Sequence, residues 1–136
     1  MPEKAPLSVD KFKDHLEFIG YEFEQVGDKQ QVWSGSHPDK PKIVIREANE
    51  GILLSALYAP ITGVTADTPG FLAWINDGNA VAIVNRVFFY EKALWVETWW
   101  FAEYDKAPFA RFFDRWLADL ANFFSMNEAA GKKFIQ

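Results

Sequence analysis

A chain with no cysteine and only two histidines has few routes to catalysis. Cysteine nucleophiles, redox pairs, iron–sulfur clusters and cysteine zinc sites are excluded outright. His37 sits in the polar run Gly35-Ser36-His37-Pro38-Asp39-Lys40, where a solvated ring is expected. His15 falls at the edge of a helical apolar stripe and reads as a boundary residue rather than a base. Five serines (Ser8, Ser34, Ser36, Ser55, Ser125) lie in no nucleophile-elbow pattern. Gly63 and Gly70 lack the context of a phosphate-binding loop. Carboxylate pairs can run acid–base chemistry when burial drives their pKa values apart. Three pairs qualify by spacing: Glu22 with Glu24, Glu47 with Glu50, and Glu97 with Glu103. Each has a plainer reading as a solvated or cross-strand-paired group. No catalytic residue, cofactor or metal site is expected.

Helical segments flank the positions just named. Val9, Phe12, Leu16 and Ile19 recur at helical spacing behind Ser8 as N-cap, and Gly20 supplies a stop, so the first helix is expected over about 8–19. Phe18 falls off its stripe. The second helix is expected to start with Thr68 as N-cap and Pro69 at the first helical position. Phe71, Trp74 and Ile75 form its face, and Asn76-Asp77-Gly78-Asn79 ends it. Asp105 and Pro108 mark the start of the last helix. Its apolar residues, from Phe109 to Phe124, fall within an arc of about 140° at the helical repeat. Arg115 and Asp119 are spaced to pair along its polar side.

Between these helices the pattern turns to period two. Lys42–Ala48 and Ile52–Pro60 read as strands and Gln31–Gly35 as a weaker one, with room for a short optional strand at Tyr21–Val26 before it; Asn49-Glu50-Gly51 reads as a tight turn in which Gly51 is able to take positive φ. Ala80–Tyr90 and Ala93–Glu103 read as a hairpin around Glu91-Lys92. Its register sets Arg86 opposite Glu97, Val87 opposite Val96, Phe88 opposite Trp95, Asn85 opposite Thr98 and Ile83 opposite Trp100. These matches stabilise together and fail together on a one-residue slip. One face (Val81, Ile83, Val87, Phe89, Leu94, Val96) is expected to meet the helices. The other carries Arg86, Phe88, Tyr90, Trp95, Trp99 and Phe101. Aromatics and arginine dominate interface hot spots, so these six are the candidate partner-binding residues.

The fold expected is α+β in the order α-β-β-β-α-β-β-α, an antiparallel sheet of about five strands with helices mainly on one face. One domain is expected over residues 1–136, with a core at about 8–126 and a C-terminal tail at 127–136. The 136 residues carry 14 basic and 19 acidic groups, for a net charge of −5. A nucleic-acid binder needs a basic surface, so none is expected. The hydrophobic share of 49% excludes general disorder. With no apolar leader and no long apolar run, a cytoplasmic protein without membrane contact is expected.

The element order resembles the YbjN-like family of proposed bacterial sensory transduction regulators, whose fold is similar to that of type III secretion chaperones. The residues carrying the likeness are Phe71, Leu72, Ile75, Asn76 and Asn79, then Asn85–Trp100 and Phe109–Phe124. The close grouping of Trp95, Trp99 and Trp100 departs from it. The resemblance implies a non-enzymatic domain, often dimeric, acting through contacts with a protein partner. An alternative is a small-molecule module with an aromatic-lined pocket, in which Asn85 and Thr98 supply the polar groups.

Overall fold

The structure is a computed structural model that describes residues 9–28, 32–126 and 128–136. Ser8, the expected first N-cap, lies outside them. The chain forms two compact units, residues 1–55 with 99–106, and residues 56–98 with 107–136. Six strands take the order β1-β2-β3-β4-β6-β5, and every described pair is antiparallel. The fold is α+β, with one strand more than the five expected.

The first unit begins with α1 (Val9–Phe18), which buries Val9, Phe12 and Leu16 and lies against β1 (Glu22–Gln25) and β3 (Ile43–Ala48). Gly20, at φ 113°, ends the helix, and the Tyr21 N–H donates back to the Leu16 carbonyl at 3.0 Å. Only glycine takes such a φ at little cost. The His37 ring occupies the space a Cβ on Gly20 would need. Its Nε2 meets the Ile19 carbonyl at 2.9 Å, and its Nδ1 accepts the Asp39 N–H at 2.9 Å. This corrects the solvated reading, because the ring closes the free end of α1. β2 (Val32–Ser36) pairs with β1 and β3. β4 (Gly51–Tyr58) pairs with β3 through Ala48 and Gly51. Asn49 and Glu50, at φ 52° and 65°, form the turn between them, so Gly51 is not the left-handed residue. Gly51 is needed for space instead: a Cβ there would strike the Trp99 indole and the Trp100 carbonyl.

The second unit holds α2 (Phe71–Val81), β5 (Arg86–Tyr90), most of β6 (Ala93–Trp100), nearly all of α3 (Lys106–Ser125), and α4 (Glu128–Phe134). α2 starts later and ends later than expected. Gly70, at φ 81°, is its N-cap, while the Thr68 hydroxyl accepts the Thr65 N–H at 2.8 Å in the turn before it. The helix continues through Asn76-Asp77-Gly78-Asn79 because both late residues have tertiary work. A Cβ on Gly78 would collide with Phe123 of α3, whose ring stacks on Trp74 at 4.4 Å. Asn79 turns its amide to β5. Ala80 and Val81 are therefore helical, and β5 starts only at Arg86.

α3 buries Phe109, Phe113, Trp116, Leu120 and Phe123, all within the expected arc, and also Asp119. The expected C-terminal tail is instead helical from Glu128. α4 buries Ala130 and Phe134, and Phe134 packs on Phe71 at 5.3 Å. Pro60 and Ile135 form an isolated antiparallel bridge, which ties the segment after β4 to the end of the chain.

Candidate interaction surface

The β5–β6 hairpin carries four of the six candidate residues within one unit. Its register is the expected one over five pairs, from Arg86↔Glu97 to Tyr90↔Ala93. Glu91 and Lys92 form the turn at φ 49° and 62°, the twist that matches a two-residue hairpin. The Phe88 and Trp95 rings stack at 5.9 Å with planes 7° apart. The Arg86 guanidinium lies 5.2 Å from the Phe88 ring centre and binds the Glu97 carboxylate through Nε at 3.1 Å and also through its terminal nitrogen. Glu97 is 3% exposed while the Arg86 side chain is 67% exposed. An ion pair with one buried member is held by geometry as well as by charge. The Trp95 indole donates to the Tyr90 carbonyl at 3.0 Å, and the Tyr90 side chain is 58% exposed.

Trp99 and Phe101 belong to the first unit. Their rings lie 6.1 Å apart, and the Trp99 indole donates to the Ala48 carbonyl at 2.9 Å. Phe101 is 72% and Trp99 44% exposed. In the same unit His15 Nδ1 meets the Tyr104 hydroxyl at 2.8 Å, and Lys106 lies 5.9 Å from the exposed Phe18 ring. No group of three or more His, Asp and Glu side chains among the described residues is arranged to hold a metal ion.

The face expected to meet the helices needs correction at its start. Val87, Leu94 and Val96 are buried, but Val81 is 57% and Ile83 70% exposed. Residues 82–85 are a loop between α2 and β5, so Ile83 has no strand partner. Three consecutive N–H groups of this loop, from Ile83, Val84 and Asn85, donate to Asp119 Oδ2 at 2.9, 2.7 and 3.1 Å. The Thr98 hydroxyl donates to the Val84 carbonyl at 2.8 Å. Asp119 is 4% exposed, and its other oxygen lies 3.9 Å from Arg115. The surface pair expected along α3 is thus the outer half of a buried anchor. A carboxylate beside the edge of the apolar arc was the available signal for it.

Asn85 and Thr98, the polar groups expected in a pocket, are not part of the cavity lined by Tyr58 and Phe124. The Thr98 hydroxyl is committed to Val84, and both polar side-chain atoms of Asn85 are buried without a hydrogen-bond partner. That cavity, of about 360 Å³, lies elsewhere in the second unit and is lined by Tyr58, Phe124, Lys132, Ile135 and Gln136 with Gly131. Tyr58 packs against Phe124 at 4.7 Å, and burial pushes its phenol up to about 12.

The element order and dimensions of the chain match a solved structure. It is similar to the crystal structure of YbjN, a proposed transcription regulator from E. coli, with a TM-score of 0.71 and 15% sequence identity. The match covers 97% of this chain and 98% of that one. The fold is YbjN-like. No protein-family model matches the sequence, and no curated protein does. At this identity the likeness to YbjN concerns the fold, and a fold does not fix function. Among the described residues no helix is long and apolar enough to cross a membrane.

Proposed function

We propose that the chain is a non-enzymatic regulatory or chaperone-like interaction domain that binds a protein partner through Arg86, Phe88, Tyr90 and Trp95 in one unit and Trp99 and Phe101 in the other. The observation that carries the reading is the exposure of Tyr90, Trp99 and Phe101, at 58%, 44% and 72%. Exposed aromatics of this size mark interaction sites more often than chance surface. The stacked Phe88–Trp95 pair and the anchored Arg86 hold their geometry before binding, which lowers the ordering cost of association. The likeness to a proposed regulator supports the regulatory half of the reading. The analogy with type III secretion chaperones supports an extended partner segment.

The test is affinity capture from the native host with the wild-type chain and with Tyr90→Ser, Trp99→Ser and Phe101→Ser variants, each checked for wild-type thermal unfolding. A partner retained by the wild type and lost by folded variants is the expected result. A partner retained equally by all of them contradicts the surface.

One observation favours a second reading. The cavity against Tyr58 has a volume at the lower end of the ligand-site range and a largely apolar lining. Native mass spectrometry of freshly purified protein separates the two, since a co-purifying small mass favours the cavity.

A further inference from the structure

The cavity against Tyr58 is built by the end of β4, the end of α3, and α4 with the two residues after it, all in the second unit. Tyr58 and Phe124 meet edge to face at 4.7 Å and form an aromatic wall. Phe124 lies on the apolar stripe of α3, yet it is half-buried where its neighbour Phe123 is buried. Ile135 completes the apolar lining. The end of the chain is tied down. The Ile61 N–H donates to the Phe134 carbonyl at 2.8 Å, and the Gln136 N–H to the Ala59 carbonyl at 3.1 Å. The walls are therefore set before anything enters, which lowers the ordering cost of binding.

Gly131 is the residue of this lining that packing does not explain. It stands inside α4, and glycine is among the poorest helix formers. Its φ is not left-handed. A Cβ there would meet Phe124 Cδ1 at 3.6 Å and Trp74 Cζ2 at 3.8 Å, which are ordinary contacts. Neither backbone conformation nor crowding calls for glycine. Its missing side chain leaves the cavity open down to the helix backbone, as a close ligand approach requires.

The uncommitted polar groups are donors. Among the described residues no carboxylate lies within ion-pair distance of Lys132, and none supplies a hydrogen bond to the Tyr58 hydroxyl. Burial keeps that phenol protonated. Gln136 Nε2 is already committed to the Pro60 carbonyl at 3.3 Å. Two free donors, one of them charged, beside an apolar ring-lined floor fit an anionic acceptor carried on a flat ring. Resting on the reading of this cavity as a ligand site, we propose that it binds an aromatic carboxylate of one or two fused rings, the ring against Phe124 and Gly131 and the carboxylate on Lys132 and the Tyr58 hydroxyl.

The experiment is amide chemical-shift mapping by NMR on the full chain. The probe is naphthoate, with naphthalenemethanol, naphthylmethylamine and octanoate beside it. Naphthoate is expected to shift the Gly131, Lys132 and Ile135 amides and to bind about tenfold more tightly than the neutral alcohol, the worth of one charge-assisted contact. Lys132→Gln should bring it down to the level of the alcohol. Gly131→Leu should abolish binding. Gly131→Ala, which should unfold no earlier than wild type, weakens it in smaller measure and is the variant read where the leucine form does not fold. Undiminished naphthoate binding to Lys132→Gln or to a folded Gly131 variant overturns the proposal. Equal or tighter binding of the alcohol, the amine or octanoate at the same amides overturns the ligand class and leaves the cavity a ligand site. No shift at these amides with any of the probes overturns the class and the cavity reading together.

Discussion

The two edges of β5 are held by different means. Towards β6 the strand has a ladder of backbone pairs, reinforced by the Arg86–Glu97 ion pair and the Phe88–Trp95 stack. On the other side Asn79 binds both outward groups of Val87, and Asp119 binds three N–H groups of the loop that leads into the strand, five backbone groups between them. The first edge is redundant, because each residue adds one increment to a cooperative ladder. The second is concentrated, because each side chain holds several otherwise unpaired groups. An unpaired buried N–H or C=O costs more than a satisfied one contributes. Stability at this strand should therefore be least tolerant of substitution at two positions outside the sheet.

Asp119→Ala has the largest expected effect. It strips three amides of their acceptor and should cost about 3 kcal/mol, read from urea unfolding. Asp119→Asn keeps one oxygen and should recover a large part. If both variants unfold like wild type, the concentration of function on that edge is refuted. Phe88→Ala tests the redundant edge. It removes the stack on Trp95 and leaves the ladder, at a cost of about 1 kcal/mol. A loss as large as that of Asp119→Ala would abolish the contrast. The smallest effect is a control away from both edges. Burial raises the Tyr58 phenol to about 12, above the ordinary tyrosine value of about 10. Its neutral form is favoured in the folded chain, so its contribution to stability is complete below pH ~10 and is lost as pH rises towards ~12. Tyr58→Phe should flatten that part of the alkaline unfolding curve, and a tyrosinate absorbance titration should show one late-titrating phenol.

The same contrast explains which parts could be read from the sequence. The inner edge shows itself in residue types. Arg86 and Glu97, and Phe88 and Trp95, match in a single register, and any slip separates both pairs. α3 is equally plain, because its aromatic stripe repeats at the helical period. The hand-over from α2 to β5 is hidden. Val81, Ile83, Asn85 and Val87 alternate as a strand would, whereas the decision lies with Asp119, 34 to 36 residues along the chain. Asn-Asp-Gly-Asn has the composition of a helix stop. It continues as helix because Gly78 admits Phe123 and Asn79 reaches Val87. α4 has few large apolar residues, and its helicity rests on burying Ala130 and Phe134. Strand parity singles out the six candidate surface residues. The hairpin carries Arg86, Phe88, Tyr90 and Trp95 as that parity requires, but parity carries no information on exposure, and Glu97, which shares their parity, is buried.

Residue-resolved amide hydrogen exchange of the wild-type protein tests the central claim most directly. Side-chain closure of the outer edge predicts slow exchange at Ile83, Val84, Asn85 and Val87 and fast exchange at Phe89. Fast exchange through 83–87, at the rate of an open loop, would contradict it.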